Sequence, residues 1–180
     1  MRIGIDIDET IAQHHEVWLD RYNTAFGDWL KPHHITDWDI DRFVKPACSK
    51  DRLFSFLTPD MYEVVEPYPG AVLAVELLRQ MGHTVMFVSS CGPKNESAAA
   101  KTAWLFRHGF LRTEHPVDSL LGTQDKSKAP VDVLVDDHIG NLANFPGDRI
   151  LINRPHNVGK FVFHHGRYNS LIEWAGSLHK

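Results

Sequence analysis

Asp6 and Asp8 stand one residue apart at the end of a short apolar run, in the string Ile3-Gly4-Ile5-Asp6-Ile7-Asp8-Glu9-Thr10. Alternate side chains of an extended strand share a face, so the two carboxylates would point the same way if the strand continued. Like charges held that close are unfavourable unless a cation or a shared proton stabilises them. The plainer reading is a polar strand end, because Asp and Thr are common where strands give way to turns. Downstream residues decide between the two. The apolar run Thr84 to Val88 ends at Ser89-Ser90, and the run Val131 to Val135 ends at Asp136-Asp137, with Lys126 and Lys128 in the loop before it. This is an inventory for phosphoryl transfer. Asp6, Asp136 and Asp137 offer the hard oxygens that suit Mg²⁺, and such a cation offsets the phosphate charge that repels an attacking carboxylate. A hydroxyl and an ammonium can hold the phosphoryl oxygens, one carboxylate can attack phosphorus, and its neighbour can protonate the leaving oxygen. Spacing to Asp136 favours Lys126 over Lys128. Ser89 is placed ahead of Ser90, although a shift of one residue at the strand end exchanges their faces.

These groups can act together only if several strands deliver them to one edge. His14 to Phe26 has helical spacing closed by Gly27, and 71–81 forms a second helix ahead of Gly82. The strand 84–88 follows, then a loop through Gly92-Pro93, a helix near 97–108 stopped by Gly109, and a weaker strand over 117–121. After the polar loop 122–130 come the strand 131–135, a short strand at 150–152 and a last helix over 170–178. Alternating strands and helices imply an α/β fold with a Rossmann-like parallel sheet and helices on both faces. Ligands bind such sheets at the carboxyl ends of the strands, where the polar residues above all lie. Residues 28–67 are different in character: rich in aromatic, Pro and Asp residues, with no convincing long strand, and closed by Pro67-Tyr68-Pro69-Gly70. The expected organisation is a core of residues 1–13 and 67–180, with a small helical cap, 14–66, inserted after the first strand. Residues 145–180 carry no readable motif and are expected to cover the sheet.

Composition narrows the class. A chain of 180 residues with 43% hydrophobic and 23% charged content is ordinary for one main globular domain. The net charge of -4, without a Lys/Arg run, disfavours a nucleic-acid polymer as partner. No apolar run approaches the roughly 20 residues that cross a bilayer. Cys48 and Cys91 fit neither a disulfide framework nor a zinc site, and with a strand starting at the second residue they lead us to expect a cytoplasmic protein. Cys91 is expected to be a packing residue. Among the 12 histidines, the adjacent pairs His14-His15, His33-His34 and His164-His165 lack the spacing that puts two ligands on one helix face. They are expected at the surface or as caps, with His14 and His15 near the pocket mouth.

The ordered set Asp6-Ile7-Asp8-Glu9-Thr10, Ser89, Lys126 and Asp136-Asp137 resembles the four motifs of the haloacid-dehalogenase (HAD) superfamily of phosphatases. Finer segments, Glu66 to Val72, Lys101-Thr102-Ala103-Trp104, and Asp125-Lys126 ahead of Leu134 to Asp137, are similar to the 5′(3′)-deoxyribonucleotidase family. Ile35-Thr36-Asp37-Trp38-Asp39 fits that family's short cap. The resemblance implies a phosphomonoesterase acting on nucleoside monophosphates, with Asp6 as nucleophile and Asp8 as general acid and base. It implies Mg²⁺ held by Asp6, the Asp8 carbonyl and the acidic pair, Asp137 being the preferred direct ligand over Asp136. Ser89 and Lys126 would bind the phosphoryl group, Ser90 and Lys101 would help, and Trp38 and Phe56 would wall the base. A homodimer is a further expectation on the same basis. Glu9-Thr10 and His138 depart from the familiar nucleotidases, where a Gly-Val type of ending and an Arg are usual, and these departures bear on nucleotide preference. Two other readings share part of this inventory: a HAD phosphatase for sugar phosphates, and a receiver-like, phospho-accepting signalling domain.

Overall fold

Ile3, Ile5, Val85, Phe87, Val133 and Val135 are all buried, in runs without the apolar-polar alternation of a half-exposed sheet. That is the signature of strands covered on both faces. A computed structural model, describing residues 1–92, 96–115, 118–160 and 164–178, places them in one six-stranded parallel sheet. The strands are β1 (Arg2–Ile5), β2 (Thr84–Ser89), β3 (Ser119–Gly122), β4 (Val133–Asp136), β5 (Asp148–Ile152) and β6 (Gly166–Tyr168). Their order is β3-β2-β1-β4-β5-β6, so β1 lies between β2 and β4, with Ile3 opposite both Val85 and Val133. The chain leaves β1 toward one side and returns to the other. The crevice at such a reversal is where open sheets of this kind bind ligands.

The helices are α1 (His14–Phe26), α2 (Lys50–Phe54), α3 (Ala71–Gln80), α4 (Ala98–Arg107), α5 (Ile139–Asn144) and α6 (Leu171–Ser177). Trp18, Leu19 and Tyr22 form the buried stripe of α1, and Gly27, at φ +57°, ends it by donating its N–H to Asn23 O. A left-handed residue at this place costs a glycine nothing sterically. One apolar cluster unites α1, α3, α4 and α6 with Ile3, Ile5, Val85, Phe87, Val133 and Val135. Leu142 and Phe145 pack with Val88, Leu134 and Leu151 in a second, so both faces of the sheet are covered. Trp104 and Phe110, fully buried and stacked 5.1 Å apart, anchor the larger cluster, each contributing about 1.5–3 kcal/mol by burial alone.

Between α1 and α3 the helical elements among the described residues are α2 and three short 3-10 segments, Pro32–His34, Ile40–Arg42 and Pro59–Glu63. This segment is not a separate droplet: Ile35, Ile40, Leu53, Met61 and Val65 join the same core as the sheet. Indole donors tie it down, Trp18 Nε1 to Leu53 O at 2.9 Å and Trp104 Nε1 to Val65 O at 2.8 Å. Two small elements escape a pattern reading. Helix α5 has six residues, too few for a period, and β6 has three at the sheet edge. The proposed strand over 117–121 is observed as β3 from Ser119, Val117 lying outside the described residues. Among the described residues no helix is long and apolar enough to cross a membrane.

Candidate active site

Asp6 still belongs to the sheet, its N–H bonding Val135 O at 2.9 Å. The chain then curls over Ile7, whose carbonyl accepts the N–H groups of Thr10, Ile11 and Ala12. Glu9 takes φ +57° in this curl, a conformation that costs a side-chain-bearing residue about 1–2 kcal/mol. The buried carboxylate of Glu9 is held there by Tyr68 Oη–H at 2.8 Å and by His15 N–H at 2.6 Å. The second bond serves the amino end of α1, where Gln13 supplies no side-chain cap. The curl thus presents Asp6 and Asp8 at the sheet edge and fixes the entry of α1.

Two charge clusters meet there. Lys126 Nζ lies 2.5 Å from Asp6 Oδ1 and 2.8 Å from Asp136 Oδ2. Lys101 Nζ donates to Asp8 Oδ2 (2.6 Å), Ser89 Oγ (2.7 Å) and Ser90 O (2.6 Å), using all three of its protons. Ser89 is fully buried, whereas Ser90 is exposed and accepts from Gln124 Nε2 at 2.9 Å. Ser89 is therefore the inward-facing serine, and Ser90 contributes its carbonyl. Burial pushes the Asp6 carboxyl well above the ordinary carboxylate range; Lys126 opposes this, and Asp136, Asp137 and Asp8 add to it. For Asp8 burial acts in the same upward direction, but Lys101, His14 and the Tyr62 hydroxyl outweigh it and hold Asp8 below that range. Burial alone would lower the Lys126 ammonium, yet Asp136 and Asp6 hold it above the ordinary lysine value.

The carboxylates fit a divalent cation. Asp6, Asp136 and Asp137 bring one oxygen each within 4.8 Å of one another, all three residues buried. Both Asp136 oxygens are taken, by Lys126 Nζ, His138 N–H and the Asn141 amide. Asp137 accepts from Thr10 Oγ1 through Oδ1 at 3.1 Å, while its buried Oδ2 lies 3.0 Å from His156 Nε2 with no aligned hydrogen bond among the described residues. A buried anionic oxygen without a well-aligned donor is costly, and its free lone pairs suit a hard cation. The donor set is all oxygen, as Mg²⁺ prefers.

A cavity with two lobes opens over this floor, Asp8, His14, Phe54 and Leu57 lining both. The larger, about 380 Å³, continues past Tyr62, Ser90 and Cys91. The smaller, about 190 Å³, runs to Trp18, Trp38, Ile40 and Asp137. Trp38 is thus at the cavity, half exposed and lying over His138 with ring centroids 3.8 Å apart. Phe56 is not. It meets Phe26 edge-on and the Arg52 guanidinium, 4.8 Å from its ring. At the end of α2, Phe54 and Leu57 share a face, and Phe56 is turned from it. His14 and His15 are half-buried, His14 on both lobes and His15 on the smaller. Cys91 is fully enclosed, and burial pushes its thiol up, which suits packing.

Besides Phe54 and Leu57 at the cavity and Asn141 on Asp136, four residues at the site were not singled out from the sequence. Tyr62 Oη–H donates a short hydrogen bond to Asp8 Oδ1, so Tyr62 and Lys101 clamp the two oxygens of that carboxylate. Tyr62→Phe removes only this donor, and we expect kcat to fall by roughly tenfold, the worth of about 1.5 kcal/mol, with the thermal midpoint changed little; steady-state kinetics check it. The other three, Arg154, His156 and Asn157, follow the carboxyl end of β5. That position was the available signal, since it is the same sheet edge.

A family model described as "5′ nucleotidase, deoxy (Pyrimidine), cytosolic type C protein" matches residues 1–174. Among curated proteins, the chain is 30% identical over 162 residues to a 5′(3′)-deoxyribonucleotidase of Clostridium acetobutylicum, covering 89% of this chain and 86% of that one. It is 29% identical over 173 residues to the 5′(3′)-deoxyribonucleotidase of Bacillus subtilis, covering 96% and 93%. Among solved structures, L-2-haloacid dehalogenase of Xanthobacter autotrophicus superposes with a TM-score of 0.60 at 12% identity, covering 99% and 98% of the chains. A HAD-hydrolase of Bacillus subtilis bound to magnesium gives 0.59 at 11%, with the same coverage. These two show the fold alone. Its sheet order, its four ordered motifs and a family match over nearly its whole length agree: the chain belongs to the deoxy (pyrimidine) 5′-nucleotidase type C family and is a phosphomonoester hydrolase on a HAD-like fold.

Proposed function

We propose that this protein hydrolyses nucleoside monophosphates, preferring deoxyribonucleotides, by transferring the phosphoryl group to Asp6 and then to water. The observation that supports this most is the division of labour between the two carboxylates. Asp6 faces Lys126 and the acidic pair, whereas Asp8 is held two residues away on Lys101 and Tyr62. Asp6 attacks phosphorus, forming an aspartyl-phosphate and releasing the alkoxide, which takes its proton from Asp8. Asp8 then accepts a proton from the water that cleaves the intermediate. Lys126 and Lys101, with Ser89 Oγ, face the phosphoryl oxygens. A substrate phosphate that draws Lys101 away from Asp8 removes the main charge favouring the Asp8 carboxylate, which readies it as an acid. Mg²⁺, held by Asp6, Asp137 and the Asp8 carbonyl, would supply the charge that keeps Asp6 ionised and offsets the incoming phosphate; Asp136 serves from behind, orienting Lys126.

Residues 14–66 act in this reading as the cap that selects the leaving group. Trp38, Phe54, Leu57 and Tyr62 give apolar faces of the size and shape to enclose a base and deoxyribose. Relatives named as 5′(3′)-deoxyribonucleotidases support the substrate class. The free, buried cysteines Cys48 and Cys91 accord with a reducing, cytoplasmic setting. Against a receiver-like signalling domain stands the strand order, which differs from the 2-1-3-4-5 arrangement of that class.

The test is phosphate release from deoxy- and ribonucleoside 5′- and 3′-monophosphates and sugar phosphates, with Mg²⁺ and with EDTA. Metal-dependent turnover peaking on deoxynucleotides is the expected result; a peak on sugar phosphates would overturn the substrate, and turnover undiminished by EDTA the metal. Phe54→Ala should raise KM for the best nucleotide by about 10-fold or more, the loss of an aromatic wall worth 1.5 kcal/mol or above. Its kcat/KM on a small aryl phosphate should change far less, because the cap and not the floor is altered.

A further inference from the structure

We propose that the turn after β5, Arg154-Pro155-His156-Asn157, is a second layer of the metal site, in which His156 positions the Asp137 carboxylate for the cation. This rests on the metal-dependent reading above. The tail beyond β4 thereby acquires a role at the site as well as in covering the sheet.

All three polar residues of the turn are buried, and each reaches a different part of the floor. Asn157 Nδ2 donates to Asp137 O at 2.8 Å and to Ile152 O at 2.9 Å, pinning the Asp137 backbone to the end of β5. Arg154 bonds the carbonyls of Glu9 and Thr10 from below, its guanidinium 3.8 Å from the Tyr68 ring. It thereby fixes the curl from which Thr10 Oγ1 reaches Asp137 Oδ1. His156 completes the set. It is 3% exposed, and its Nε2 lies 3.0 Å from Asp137 Oδ2. Among the described residues neither that oxygen nor either ring nitrogen has an aligned hydrogen-bond partner, so the two buried groups face each other at bonding distance. Trp38, 5.3 Å away edge-on, and His15, 5.9 Å away, pack around the ring and limit its tilt.

A carboxylate with one oxygen fixed by Thr10 can still swing its other oxygen. An imidazole N–H on the second oxygen stops that swing and leaves the remaining lone pairs aimed at the cation. Outer partners of this kind typically change metal affinity by 10- to 100-fold. Were His156 only a filler, any ring of its size would serve. Were it a direct ligand, its imidazole would favour transition metals over Mg²⁺.

The test is calorimetric titration of the whole, substrate-free protein with Mg²⁺ and with Co²⁺. Wild type, His156→Gln, His156→Phe and Thr10→Val are compared, each checked for its thermal midpoint in EDTA. The amide of Gln can place a donor near the Nε2 position, whereas Phe keeps the ring and removes the donor. We expect His156→Phe to bind Mg²⁺ at least 10-fold more weakly, His156→Gln to remain within a few-fold of wild type, and Thr10→Val to weaken binding too should the Phe variant fail to fold. Wild-type affinity in His156→Phe, or in a folded Thr10→Val should the Phe variant not fold, overturns the positioning role. Loss of Co²⁺ binding with Mg²⁺ binding intact makes His156 a ligand and overturns the second-layer placement. A wild type that binds no Mg²⁺ overturns the metal reading and this inference with it.

Discussion

Lys126→Met should unfold at a markedly lower temperature in EDTA than wild type and recover part of the difference in Mg²⁺. Lys126 is the ammonium that touches both Asp6 and Asp136, and its side chain is 5% exposed. Removing it leaves three clustered buried carboxylates with their main compensation gone. Breaking a buried ion pair from one side costs about 3–5 kcal/mol, on the order of 10 °C for a chain of this size. Methionine matches lysine's length and packing, so lost volume is a minor part of the effect. A cation at Asp6 and Asp137 supplies positive charge to the same group of oxygens, so Mg²⁺ should raise the variant's midpoint more than it raises that of wild type. Equal midpoints in EDTA would mean that the carboxylates are neutralised by protons instead. Turnover should fall as well, by 10²-fold or more, because one of the two cations facing the phosphoryl oxygens is gone.

Asp6→Asn should lower kcat by on the order of 10⁴-fold or more, the scale on which a lost covalent nucleophile is felt. The amide keeps an oxygen for Lys126 Nζ and nearly the same volume, so the variant should fold. It also removes one charge from a crowded set in which burial and three neighbouring carboxylates already push Asp6 toward protonation. A thermal midpoint in EDTA equal to or above that of wild type is therefore expected beside the lost turnover. This pairing is informative, since a residue kept for packing would show the reverse. A thermal scan and a single-turnover assay on the same preparation check both halves.

Much of the fold was legible because its strands are buried on both faces. Ile3 to Ile5, Thr84 to Val88 and Val131 to Val135 read as strands by apolar content alone, and the helices between them by their period and by Gly27, Gly82 and Gly109. The sheet order was not readable: nothing local says that β1 lies between β2 and β4. Short elements failed for lack of length. Helix α5 is held by the Asp136 carboxylate accepting His138 N–H and the Asn141 amide at its start, and β6 by pairing with β5 at the edge.

The candidate site divides along the same line. Asp6, Asp8, Ser89 and Asp136-Asp137 could be named because strand ends in a parallel sheet share one edge, and Lys126 by its spacing to Asp136; the structure brings them together with Lys101. Tyr62 reaches Asp8 from 54 residues away, and Arg154 reaches Glu9 from 145; such contacts are made by tertiary packing and leave no local pattern. Phe54 closes the five-residue helix α2 and Phe56 lies in the turn beyond it, a division that an aromatic-rich stretch does not reveal. His156 differs from these. A polar turn after a buried strand is a readable sign, and it was hidden among 12 histidines.

The most direct measurement is acid-quenched labelling with a deoxynucleoside monophosphate carrying radioactive phosphorus, followed by peptide mapping. Label is expected in the peptide containing Asp6, released by hydroxylamine as an acyl phosphate is, absent in Asp6→Asn and formed only with Mg²⁺. Turnover without any labelled protein at early times, or label on another residue, would contradict it.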